Sequence, residues 1–151
     1  MTRFSEADGR KVVSIADAGT VGRVSGFVVD PDGSRVVALH LKKTEGKVDT
    51  LRWSDVRAFG ADAVTVAESS AVTETPADVD ALSGKTHRLL GKRALSVAGD
   101  ELGEVADVEF DDASGVVGAV VLGDGTVVGC RLIGVGSYAV VLEPTGAAAA
   151  G

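Results

Sequence analysis

The sequence predicts an all-β fold, two small barrels in tandem packed against one another, and three features predict it. One hairpin is written twice. Short apolar runs alternate with polar residues at the period of a strand, not of a helix. Between the runs stand Gly, Pro, Asp and Ser in turn-forming groups. The clearer hairpin runs over 102–111, turns at Asp112-Ala113-Ser114-Gly115 and returns over 116–122. Eighty-one positions earlier the same plan occupies 21–30, Pro31-Asp32-Gly33-Ser34 and 35–41. Aligned without a gap, Gly22/Gly103, Val24/Val105, Asp30/Asp111, Val36/Val117, Ala38/Ala119 and Leu41/Leu122 are identical. A period this long fixes the architecture before any local reading.

The repeat divides the chain into a first unit, 1–68, a linker, 69–84, a second unit, 85–144, and a flexible tail, 145–151. Units of roughly 70 residues bury a modest fraction of their surface, so the two are expected to lean on each other.

Each element follows from local chemistry. Residues 1–10 are polar apart from Phe4 and suit one helical turn or an ordered arm. Strands are predicted at 11–15, 21–30, 35–42 and 47–52. Trp53-Ser54-Asp55-Val56 reads as one helical turn, with Ser54 or Asp55 as its cap, and a closing strand follows at 63–66. Residues 67–83 lose the alternation and gather Ser, Thr, Asp and Pro76, the composition of a linker. The second unit repeats the order with strands at 93–97, 102–111, 116–122, 126–130 and 138–142. Five short strands per unit describe a small closed or half-closed barrel.

Leu90-Gly91-Lys92-Arg93-Ala94 leading to Leu102-Gly103-Glu104-Val105-Ala106-Asp107-Val108 resembles the opening of a PRC-barrel domain. Leu51-Arg52-Trp53-Ser54-Asp55-Val56, followed by Asp62-Ala63-Val64-Thr65-Val66, resembles that domain's closing segment. The family includes the barrel of the photosynthetic reaction centre H subunit, and a similar domain ends a bacterial ribosome-maturation factor. The resemblance covers 9–66 and 90–143, and the second copy departs where Gly129-Cys130-Arg131-Leu132 replaces Trp53-Ser54-Asp55-Val56. It implies a β-barrel interaction module without known catalytic residues.

The net charge of −7 falls wholly in residues 73–151, the first 72 being neutral. An acidic chain binds nucleic acid and anionic membrane poorly, so nucleic acid is an unlikely partner. Cys130 is the single cysteine, which excludes an internal disulfide and suits a reducing cytoplasm. No apolar run reaches the roughly 18 residues of a membrane span and no signal-peptide core is present, so a cytoplasmic protein is expected.

The sequence supplies no catalytic set. Asp30-Pro31-Asp32-Gly33 has the start of a calcium loop, but its twelfth position is Leu41, which cannot ligate. The tetrapeptide is also a good turn, and the turn is the better reading. His40 and His87, with one cysteine, lack zinc spacing. Pairing Cys130 with either histidine as a nucleophile has no supporting motif. Gly123-Asp124-Gly125 and Gly134-Val135-Gly136 open no long helix and read as turns rather than phosphate cradles. No cofactor, metal or enzymatic activity is expected. Lys85, His87, Arg88, Lys92 and Arg93 form one basic cluster without an aromatic platform, better read as balance for the acidic strand that follows.

Alternation over 104–111 places Ala106, Val108 and Phe110 inward and Asp107, Glu109 and Asp111 outward. The matching outward positions of the first copy are Gly26, Val28 and Asp30, an apolar stripe where the second copy is charged. The strand carrying Val37, Leu39 and His40 is apolar on both faces, which one half-wet barrel does not need. Gly26, Val28, Val37, Leu39, His40, Trp53 and Asp55 are therefore the candidate interaction or packing residues. Trp53 is expected to plug one end of the first barrel, and Asp55 or Ser54 to fix the turn beside it. The cover is expected from the other barrel first, then from a homodimer or another protein partner. The function expected is a non-enzymatic protein–protein interaction or assembly module. The alternative is an RNA-linked, ribosome-maturation-type assembly factor, against which stand the acidic second half and the missing N-terminal domain of that family.

Overall fold

The computed structural model describes residues 1–84 and 87–145; Lys85 of the basic cluster and 146–151 of the predicted tail lie outside the described residues. The chain is built of strands β1 (Thr2–Arg3), β2 (Lys11–Ser14), β3 (Thr20–Asp30), β4 (Arg35–Lys42), β5 (Thr50–Arg52), β6 (Val56–Phe59), β7 (Ala63–Val66) and β8 (Val72–Thr73). Beyond them come β9 (Arg93–Ser96), β10 (Glu101–Phe110), β11 (Val117–Leu122), β12 (Val127–Val135) and β13 (Ala139–Pro144). Two single helical turns, α1 (Phe4–Ala7) and α2 (Ala77–Asp80), interrupt them.

In the second unit β10, β11, β12 and β13 pair in sequence, β13 pairs β9 in parallel, and β9 pairs back to β10. That closes a five-stranded barrel. The first unit forms a sheet in the order β6-β7-β2-β3-β4-β5-β8. There β5 and β6 are separated by a 3-10 turn at Trp53–Asp55, where the second unit has the continuous strand β12.

Backbone hydrogen bonds repeat along with the sequence. Gly9 N–H donates to the Val24 carbonyl at 2.7 Å, and Gly91 N–H to the Val105 carbonyl at 2.8 Å. Val24 and Val105 answer with N–H bonds to Arg10 and Lys92. Val12 lies opposite Val64 in one parallel ladder, and Ala94 opposite Val140 in the other.

Both long strands are bulged at matching places, between Val24 and Gly26 in β3 and between Val105 and Asp107 in β10. A bulge adds one residue, bends the strand and resets its faces. Strict alternation therefore fails in β10: Ala106, expected inside, is exposed, and Asp107, expected outside, is buried. Val105 takes the interior place, with no measurable exposure.

The two hairpins meet tip to tip. Arg35 and Val116, which are equivalent in the repeat, form an antiparallel bridge. Around it Val36 N–H donates to the Gly115 carbonyl and Val117 N–H to the Ser34 carbonyl, each at 2.8 Å. Those partners are again equivalent by pairs, the signature of a local two-fold axis between Arg35 and Val116. One hydrophobic core runs through both units, from Val12, Leu39 and Val64 to Val108, Leu132 and Leu142.

The stretch from 69 to 84 folds back onto the first unit. β8 pairs β5, with Leu51 opposite Val72, and α2 sets Val79 over Val28 and Ala38. The expected cover for the first unit's outer apolar stripe is thus supplied here by this segment rather than by the second unit. Two apolar residues in polar chain, Val79 and Leu82, suffice for it without periodicity.

Candidate interaction site

Five of the six aromatic residues gather where the units meet. Phe110, at the end of β10, is fully buried. Its ring centroid lies 5.3 Å from those of Phe27 and Phe59, 5.7 Å from that of Phe4 and 5.9 Å from that of Trp53. Phe4 stacks on Phe27 at 4.1 Å, and Trp53 on Phe59 at 5.6 Å. A second-unit ring thus fills the centre of a first-unit cage, with edge-to-face contacts that add to the burial itself.

Trp53 is half-buried and packs between the units instead of sealing one barrel alone. A Cβ on Gly115 would come within 3.0 Å of its ring, and Gly115 has φ +77°, so glycine is required there on both counts. Asp55 is exposed, and the turn is closed by the Val56 N–H to the Trp53 carbonyl, not by a side-chain cap. The first unit's residue equivalent to Gly115 is Ser34, also left-handed at φ 51°. Its buried hydroxyl donates to the Val117 carbonyl at 3.3 Å and accepts the Leu132 N–H at 2.9 Å.

The remaining candidates divide into three places. Leu39 points into the core and is fully buried. Val28 is buried, and Val37 half-buried, under Val79 and Leu82. Gly26 faces His40 across the β3–β4 ladder and lines a groove of about 480 Å³ that also contains Phe27, Ser83, His87 and Arg88. His40 Nε2 lies 3.4 Å from Ser83 Oγ, which itself donates to the Val79 carbonyl, and His87 Nδ1 lies 3.2 Å from the Ser83 carbonyl.

Other sequence signals resolve locally. Asp30 accepts the Asp32 N–H at 2.9 Å, the turn chemistry preferred over a calcium loop. Cys130 is buried inside the second barrel, and desolvation pushes its thiol up to about 11, leaving little nucleophilic thiolate at neutral pH. Arg93 of the basic cluster pairs with Glu101 at 2.8 Å and lies over the Tyr138 ring at 5.1 Å. Glu101 of β10 thus balances the Arg93 guanidinium.

Sequence reasoning missed Ser34, Gly115 and the hub role of Phe110. One signal was available. Phe110 replaces Val29 at the end of the repeated strand, and a large ring at that position needs room that only another unit supplies. It also missed how the first residues are used. Thr2 and Arg3 form an antiparallel strand on β10, Thr2 opposite Phe110 and Arg3 opposite Glu109. Arg3 Nε donates to Glu109 at 2.9 Å, and Ser5 N–H to Asp107 at 3.2 Å.

A closed barrel of five strands, with a parallel closure between its first and last, bears on family. Residues 85–143 match the PRC-barrel domain. The PRC-barrel match coincides with the closed second barrel and ends within β13. No curated protein matches the chain. PRC-barrel domains are interaction and assembly folds, and among the described residues no helix is long and apolar enough to cross a membrane.

Proposed function

We propose that the protein is a non-enzymatic interaction or assembly module built from two PRC-barrel repeats, acting on a protein partner or a second copy of itself in the cytoplasm. The PRC-barrel match of residues 85–143 carries this reading. The matched bulges, ladders and hairpin bonds at the 81-residue spacing support extending it to the first unit. Ile15 and Val97, directly after β2 and β9, occupy equivalent places and are 57% and 56% exposed. A duplicated apolar corner left in water by both copies fits a repeated contact surface better than isolated surface residues.

Affinity capture from the native cell, followed by mass spectrometry, tests the reading. The intact protein should retain a defined partner, and Ile15→Asp with Val97→Asp should release it while leaving the fold intact. Capture of RNA with a steep salt dependence would instead favour the maturation-factor alternative, because phosphate contacts release counterions.

A further inference from the structure

The first residues of the chain lie on β10 as a docked peptide lies on a receptor. The half of β10 from Glu101 to Glu104 pairs with β9, whereas Glu109 and Phe110 are paired on that side by Arg3 and Thr2. Four successive arm residues each meet their own receiving group. The Thr2 hydroxyl donates to Asp112. Arg3 donates to Glu109 at 2.9 Å. Phe4 enters the aromatic slot between Phe27 and Phe110. Ser5 donates to Asp107 through both its N–H and its hydroxyl. Asp107 is 8% exposed, a carboxylate buried by the bulge, and its acceptor oxygens are taken up by this arm and by the Val108 N–H. The arm then joins the body through Gly9, at φ +81° with open space where a Cβ would lie.

We propose that this outer half of β10, with Asp107, Glu109, Asp112 and the Phe27–Phe110 slot, is a docking site for a partner segment that adds two residues as a strand and then turns as α1 does. The segment carries a hydroxyl, a basic, an aromatic and a second hydroxyl residue in succession, and the chain's own Thr2-Arg3-Phe4-Ser5 fills the site in cis. This rests on the interaction reading above and names its site. Strand addition takes affinity from backbone bonds; here Thr2 and Arg3 supply the strand, and Phe4 and Ser5 of α1 add a ring and a hydroxyl beside it. The unit that receives the arm, 85–144, carries nine acidic against five basic side chains, a net charge of −4, which favours a basic segment. A tethered arm competes at an effective concentration of about 1 mM, so it gates the site against weak partners.

The test uses the fluorescein-labelled peptide Met-Thr-Arg-Phe-Ser-Glu-Ala, read by anisotropy against the chain lacking residues 1–7. The truncated chain should bind it, the intact chain should bind at least about tenfold more weakly, and peptides with Arg3→Glu or Phe4→Ala should lose most of the signal. A truncated chain that keeps its circular dichroism yet leaves the peptide free overturns the proposal. If truncation unfolds the protein, intact Arg3→Glu serves: its weakened arm should admit the labelled peptide more readily than the wild type does, and equal binding overturns the proposal. A complex of truncated with intact chain, without binding of free peptide, replaces it with an arm-exchanged dimer. Native-cell capture that persists when the dock fails leaves the interaction reading standing.

Discussion

Ser34 and Gly115 stand at the same place in the two hairpins, and each gives its carbonyl to the other unit, Ser34 to Val117 and Gly115 to Val36. The exchange leaves different needs on its two sides. Ser34 must also supply a hydroxyl to Leu132 N–H, whereas Gly115 must leave room for Trp53.

Both needs predict a loss of stability from small substitutions. Ser34→Ala strands the buried Leu132 N–H and should cost about 1–3 kcal/mol. Gly115→Ala adds left-handed strain and displaces the indole, at about 1–3 kcal/mol. Urea unfolding should show one transition in each variant, because the core and the hairpin bonds tie the units together. Two separated transitions, or no shift in midpoint, would show the junction to be passive.

The aromatic cage ranks its members. Phe110→Ala removes a fully buried ring and should cost about 3–5 kcal/mol. Trp53→Ala should cost less than Phe110→Ala, since the indole is half-buried and leaves no enclosed cavity. Trp53 is the only tryptophan, so its emission should move to the red in Phe110→Ala. An unchanged spectrum with an unchanged urea midpoint would remove Phe110 from the centre of the junction.

The fold class and most strands were legible because both copies obey the same alternation and turn chemistry. Arg35–Lys42 and Ala63–Val66 match their predicted bounds, and the Trp53 turn lies where its residues place it. Asp107 was not legible. A bulge is an extra residue, and alternation carries no mark of where it enters, so Ala106 and Asp107 are misassigned, whereas Val108 and Phe110 beyond it lie inward as alternation places them. The clasp on β10 was equally hidden, since Thr2 and Asp112 are brought together only by folding. Val79 was obscured for another reason: a single turn has too few residues to display a period.

Val28 and Glu109 are equivalent in the repeat but differ in their cover. Val28 is 2% exposed beneath Val79, so Val28→Glu places an unpaired charge against apolar side chains and should cost several kcal/mol, roughly 2–5. Glu109 is half-buried and paired with Arg3, so Glu109→Val should cost about 1 kcal/mol or less and loosen the arm. Thermal unfolding of the two variants separates them. Equal losses would mean that α2 does not hold its place over β3.

Acid should weaken the fold through three exposed carboxylates. The hydrogen bond from Arg52 holds Asp78 below the ordinary carboxylate range, the Ala113 and Ser114 N–H groups do so for Asp111, and the Thr126 N–H does so for Asp124. A carboxylate depressed in the folded state binds its proton less readily there than in the unfolded chain. Its stabilisation is complete above the unfolded value of about 4 and disappears as pH falls through the folded value. The urea midpoint should therefore hold level from about pH 7 to 5 and decline below about 4. Asp78→Asn, Asp111→Asn and Asp124→Asn together keep oxygen acceptors at the turns but remove the titration. The triple variant should begin lower at neutral pH and lose less on acidification. An acid-induced drop as large as that of the wild type would assign the titration to other carboxylates.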